Sequence, residues 1–217
     1  MPTESTYPKI DIPNVDLWTL LFERKDKEFP DDKGKLFNLQ PSNYLLIKCS
    51  VIYVDADTNR SYNYAQVRQT ALDFGKGLKA LWDWQKGDVL AIYSPNCIDT
   101  PSITWGTHWA GGILSPANPG YGVEELAFQL KDSGAKALVT QKALLKNAKE
   151  ACKKVGIEES MIILMGDEKD EGFKHKHFTA VRNLEGTRRF RKTRIDPQKD
   201  LAFLVYSSGT TGHPKVC

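Results

Sequence analysis

Apolar positions along this chain follow two rhythms. Over 64–82 they return every three or four residues, with Val67, Leu72, Phe74, Leu78 and Leu81 on one face. Asn63 and Gln66 have capping-box spacing at its start, so the pattern predicts a long helix packed by that face. From Asp88 onward, short continuous apolar runs alternate with helical stretches: VLAIYS, a helix over 98–110, ILSPAN, a helix over 123–131, KALVT, a helix ending at Val155, then MIILM. Runs of that length between helices predict an α/β fold, a mostly parallel sheet flanked by helices. Right-handed crossovers then place ligand-facing loops at the carboxyl ends of the strands, where Ser94, Pro95 and Asn96 and the stretch 116–120 fall.

The flanking segments carry weaker signals. Asn14 is placed to cap a short helix over 15–24 with Leu17, Leu20 and Leu21 as its apolar stripe. FPDDKGKLFNLQPSN reads as a connection, YLLIKCSVIYVD as β-like, and DADTNR at 55–60 as a turn into SYNY. Trp82 and Trp84 are expected in or beside the core, and Gly111 and Gly112 at a tight helix contact. His108 is expected in a core or boundary position, because no nucleophile or acid partner for it is evident. Glu124 and Glu125 suit the positive end of the helix they open, and DEKDE at 167–171 reads as a solvated turn. Three stretches result: a lead-in over 1–50, an α/β unit over 51–200, and a terminal strand and loop over 201–217.

Composition adds bounds. With 217 residues, 41% of them hydrophobic and 26% charged, the chain is large enough for a substantial core. No apolar run is long enough to span a bilayer. A net charge of +3 does not argue for nucleic acid, and the basic cluster TRRFRKTR at 187–194 is expected to be a solvated linker. Cysteines 49, 97, 152 and 217 are far apart, and the N-terminus lacks a signal-peptide apolar core, which predicts a reducing, cytoplasmic setting. His175 and His177 are flanked by lysines with no cysteine near, so a solvated loop is expected there rather than zinc.

The most concentrated chemistry is DLAFLVYSSGTTGHPK at 200–215. Leu201 to Tyr206 reads as a buried strand feeding a loop of hydroxyls and glycines. Gly209 and Gly212 permit close backbone approach, so that N–H groups can turn inward around an anion. Ser207, Ser208, Thr210 and Thr211 add hydroxyl donors, and Lys215 adds a point charge. A Walker-type loop needs four residues between its glycines and a hydroxyl after the lysine; here there are two, and Val216 follows Lys215.

YSSGTTGHPK resembles the phosphate loop of the adenylate-forming superfamily, which includes acyl-CoA and aryl-CoA ligases, luciferases and peptide-synthetase adenylation domains. The likeness is strongest to the 4-coumarate and phenylacetyl-CoA ligase type. It extends through SYNYAQVRQTALDFGKGLKAL and AGGILSPANPGYGVEELAFQLKDSGAKALVT, from about Val51 onward. The resemblance implies part of the large N-terminal domain of an enzyme that uses ATP with Mg2+ to activate a carboxylic acid and then passes the acyl group to coenzyme A. It assigns phosphate binding to Ser207, Ser208, Gly209, Thr210, Thr211, Gly212 and Lys215, and leaves His213 as a spacer. Adenine, magnesium and acyl contacts, together with the catalytic lysine, are implied beyond this sequence, so no catalytic residue is expected within it. Two readings follow: an N-terminal fragment of such a ligase with little or no activity alone, or a non-catalytic module that self-associates or pairs with the complementary part. A peroxisomal address is implied only for some longer relatives.

Overall fold

The structure, a computed structural model, describes residues 7–8, 10–25, 51–172 and 174–207, and the backbone of 215 and 216. The readings for 26–50 lie outside the described residues. A short hairpin, β1 (Val51–Val54) and β2 (Ser61–Asn63), leads directly into α1 (Tyr64–Trp82). The expected capping box is present: Gln66 N–H donates to the Asn63 side chain and Asn63 N–H donates to Gln66, each at 2.8 Å. Val67, Ala71, Phe74 and Leu78 are buried along the helix, with Leu72 and Leu81 half-buried.

The alternation that follows is β3 (Val89–Tyr93), α2 (Thr100–Trp109), β4 (Ile113–Ala117), α3 (Val123–Asp132), β5 (Ala135–Thr140), α4 (Leu145–Val155) and β6 (Ile162–Leu164). A two-residue strand, β7 (Lys176–His177), and a short helix, α5 (Phe178–Arg182), complete it. The five strands lie in the order β4-β3-β5-β6-β7, all parallel. Strand β3 is buried on both faces, and its side chains divide by parity. Leu90 and Ile92 join Phe74, Ile103 and Phe178 in one core; Val89, Ala91 and Tyr93 join Leu126, Leu130 and Cys152 in the other. Burial pushes the Cys152 thiol up to about 12, so it behaves as an apolar residue. Among the described residues no helix is long and apolar enough to cross a membrane.

Several local expectations are corrected by packing. Asp16, not Asn14, accepts the Thr19 N–H at the start of the first helical turns. The buried pair there is Trp18 and Phe22, ring centroids 4.6 Å apart, rather than Leu17, Leu20 and Leu21, because the aromatics insert against Tyr64. In the basic cluster, Arg188, Arg189, Arg191 and Arg194 are exposed as expected. Lys192, however, bonds to Asp16, Thr19 and Glu23, and the Thr193 hydroxyl donates to the Ala110 carbonyl, strapping the N-terminal turn to α2.

The DEKDE stretch at 167–171 is largely exposed as expected, but the two histidines beyond it do not lie in a solvated loop. Asp167 pairs with Arg60 at 3.2 Å, and His175 is buried with Asp170 2.7 Å from Nδ1 and Glu159 3.0 Å from Nε2. His177, also buried, caps α5 by accepting the Thr179 N–H at Nδ1, so Nε2 carries the proton donated to the Gly166 carbonyl. Among the described residues no group of three or more His, Cys, Asp or Glu could hold a metal ion.

Burial lowers the pKa of His177, and likewise of His108, below the ordinary 6.5. In the window between folded and unfolded values the unfolded chain binds more protons. The stability of the neutral forms is therefore complete above pH 6.5 and is lost as pH falls toward the folded values. His177→Asn, which keeps a capping acceptor, is expected to flatten the fall of melting temperature below pH 6.5; a slope equal to wild type would contradict this linkage.

Candidate phosphate-binding hairpin

Residues 201–205 approach the open edge of β4. Leu114 donates its N–H to the Ala202 carbonyl, and Leu204 donates to the Leu114 carbonyl, both at 2.9 Å. The contact amounts to one parallel bridge, Leu114 with Phe203. The expected buried strand is therefore corrected: Leu201, Phe203 and Val205 are 60%, 37% and 46% exposed, because no further strand covers this edge among the described residues. Leu204 points the other way and packs on the α3–α4 side.

Beyond Val205 the chain forms β8 (Tyr206–Ser207), paired antiparallel with β9 (Lys215–Val216). Ser207 faces Lys215 across one rung and Tyr206 faces Val216 on the next. The first and last residues of the expected phosphate loop are thus brought together, and the connecting segment is closed at its base. Ser208, Gly209, Thr210, Thr211 and Gly212 lie outside the described residues, as does the Lys215 side chain. Ser207 is exposed.

The Tyr206 hydroxyl donates to Asp132 at 2.6 Å. Burial and then the carboxylate push this phenol up, so it stays a donor. Asp132 closes α3, which runs from the carboxyl end of β4 back to the amino end of β5. This bond ties the root of the hairpin to the last turn of α3.

The carboxyl end of the sheet holds the loops that crossover geometry marks for ligands. There Tyr93 donates its hydroxyl to the Tyr121 carbonyl at 2.6 Å, and Asn118 accepts the Gly120 N–H. Asp99, 1% exposed, sits just before α2 and accepts from Arg60 and Tyr62, each at 3.0 Å, with the Cys97 sulfur at 3.8 Å. Burial and the adjacent carboxylate raise the Tyr62 phenol, and burial raises the Cys97 thiol. This clasp fastens the β1–β2 hairpin to the sheet. It was missed in the sequence, although an acidic residue directly before Thr-Pro at a helix start is a readable signal. His108 is buried as expected and meets the Phe203 ring edge-on.

A family model described as AMP-binding enzyme matches residues 46–217. The chain belongs to the AMP-binding enzyme family. Among its relatives, a 4-coumarate–CoA ligase of Pinus taeda is 31% identical over 162 residues, covering 75% of this chain and 28% of that protein. 4-Coumarate–CoA ligase 3 of Arabidopsis thaliana is 30% identical over 212 residues, covering 97% and 33%. The chain thus spans a third or less of the length of these AMP-binding relatives. Among solved structures, a long-chain-fatty-acid–CoA ligase from Archaeoglobus fulgidus aligns with a TM-score of 0.62 at 25% identity, covering 76% of this chain and 31% of that one. The anthranilate–CoA ligase AuaEII, solved with anthranoyl-AMP, shares the fold at a TM-score of 0.64 and 23% identity, covering 73% and 30%. The parallel sheet flanked by helices is therefore the AMP-binding fold in this part of the family.

Proposed function

We propose that this chain supplies the phosphate-holding edge of an ATP-dependent carboxylate–CoA ligase. In that reaction a carboxylate oxygen attacks the α-phosphorus of ATP, pyrophosphate leaves, and the thiol of coenzyme A then displaces AMP from the acyl adenylate. The observation that carries the reading is the hairpin rung joining Ser207 to Lys215 at the two ends of a Ser/Thr/Gly loop, within a family match over 46–217. Ser207, Ser208, Gly209, Thr210, Thr211 and Gly212 would donate to the β- and γ-phosphates, and Lys215 would offset charge on the departing pyrophosphate. This is electrostatic stabilisation without a covalent intermediate. Among the described residues no group of three or more His, Cys, Asp or Glu could hold a metal ion, and no step is routed through magnesium.

The chain spans a third or less of the length of the CoA ligases it matches, so the contacts it can offer ATP are only part of those a whole ligase makes. ATP–pyrophosphate exchange by the purified chain with a panel of carboxylic acids is therefore expected to stay at background; robust exchange would overturn the proposal that the remaining walls of the site are needed.

One observation favours a second reading. Leu201, Phe203 and Val205 form an exposed apolar row on a sheet edge that no strand covers among the described residues, the kind of surface that invites strand pairing. A non-catalytic module would show a stable higher mass by size exclusion together with absent exchange.

A further inference from the structure

The segments 12–20 and 195–203 wall a cleft of about 520 Å³ beside α2. That volume lies within the range that small organic ligands occupy. The walls are mainly apolar, with Val15, Leu17, Leu20, Ile195, Leu201 and Phe203 among them, and His108 also lines the space.

His108 is 7% exposed. Its Nδ1 lies 3.2 Å from the Gly112 carbonyl. A carbonyl only accepts, so Nδ1 carries the proton and Nε2 keeps a lone pair. That lone pair has no hydrogen-bond partner among the described residues. Burial lowers the imidazole pKa, so the ring stays neutral and Nε2 stays an acceptor at neutral pH. A buried acceptor without a donor is costly, and a guest that brings the donor relieves that cost.

The cleft also discriminates by charge. Among the described residues no lysine or arginine lines it, and its two carboxylates are already engaged, Asp16 by Lys192 and Asp200 by Lys86. An acid would meet an acceptor and no counter-charge, and an amine would find no free carboxylate. Phe203 stands T-shaped to the imidazole at 4.8 Å between centroids. Nε2 itself has almost no open surface, so a guest reaches it only with a shift of a neighbouring side chain, and Phe203, in contact with the ring and partly exposed, is the group that would shift.

We propose that this cleft binds a small, mainly apolar molecule carrying one hydroxyl, an alcohol or a phenol, whose O–H donates to Nε2 of His108. The site is separate from the phosphate hairpin and does not depend on its function.

The test compares 2-naphthol with 2-methoxynaphthalene, which has the same ring system and no donor, by calorimetric titration of the whole chain and by the imidazole nitrogen resonances of His108. 2-Naphthol is expected to bind about tenfold tighter, and only 2-naphthol should move the Nε2 resonance. His108→Phe should bring the two probes within about twofold of each other. Leu201→Trp alters an exposed position and narrows the cleft without touching His108. It should weaken both probes, and it carries the test if His108→Phe does not fold. Equal binding of the two probes to wild type, an unmoved Nε2 resonance, or indifference to Leu201→Trp overturns the proposal. So does the absence of binding by either probe, including where a second copy of the chain fills the cleft and doubles the mass.

Discussion

Replacing Asp99 with alanine is expected to destabilise the fold by about 3 kcal/mol. The carboxylate is almost fully buried and receives the Arg60 guanidinium and the Tyr62 hydroxyl at 3.0 Å each. Alanine would leave the phenol without an acceptor and a partly desolvated guanidinium with one remaining partner, Asp167 at 3.2 Å. The expected loss sits at the low end for broken buried pairs, because the Arg60 side chain is 34% exposed and water can screen it. Asp99→Asn keeps the shape and an acceptor for Tyr62, so about half the loss is expected. Urea unfolding checks this by a lower midpoint at unchanged slope. A midpoint equal to wild type would mean that the clasp contributes nothing to holding β1–β2 against the sheet.

Gly106→Ala should also destabilise, against the usual direction for a helix. Alanine in place of glycine inside an exposed helix gains about 1 kcal/mol. Here α1 and α2 approach so closely that a Cβ on Gly106 would lie 2.5 Å from the Ala71 carbonyl oxygen and 2.9 Å from the Phe74 ring. Gly75 faces it from α1, where a Cβ would lie 2.5 Å from the Gly106 carbonyl oxygen. Backbone atoms cannot rotate away, so the helices must separate across a core that includes Phe74 and Ile103. Overpacking of this kind costs about 1 to 3 kcal/mol beyond the propensity gain, for a net loss of about 2. The melting temperature should fall by about 6 °C for a chain of this size. A raised melting temperature would contradict the observed helix spacing.

Much of the architecture was legible where one local rule dominated. Asn63 and Gln66 start α1 as their spacing dictates, and the apolar runs from Val89 to Leu164 become parallel strands because each is too short for a helix and is bounded by one. Fine placement was less legible, since it depends on partners distant in sequence. Trp18 and Phe22 displace the expected leucines because Tyr64, forty residues on, offers them a surface. His175 is buried because Asp170 supplies an acceptor at Nδ1 and the Glu159 carboxylate lies beside Nε2, neither of which the flanking lysines hinted at. Leu201, Phe203 and Val205 read as buried by composition alone, yet burial needs a neighbour on both sides of the strand. In the candidate site, residue types and order carry the expectation of phosphate binding, and the Ser207–Lys215 rung sets the first and last of those residues opposite each other. The Asp99 clasp was not, because its partners arrive from a separate hairpin.

The central claim, that this hairpin is a phosphate grip, is tested most directly by titrating the chain with tripolyphosphate and following backbone amide resonances. The predicted result is movement of the amides between Ser207 and Lys215 at about millimolar concentration, diminished by Lys215→Ala and absent with adenosine alone. Amides that stay fixed there while others move, or that answer adenosine as strongly as tripolyphosphate, would contradict it.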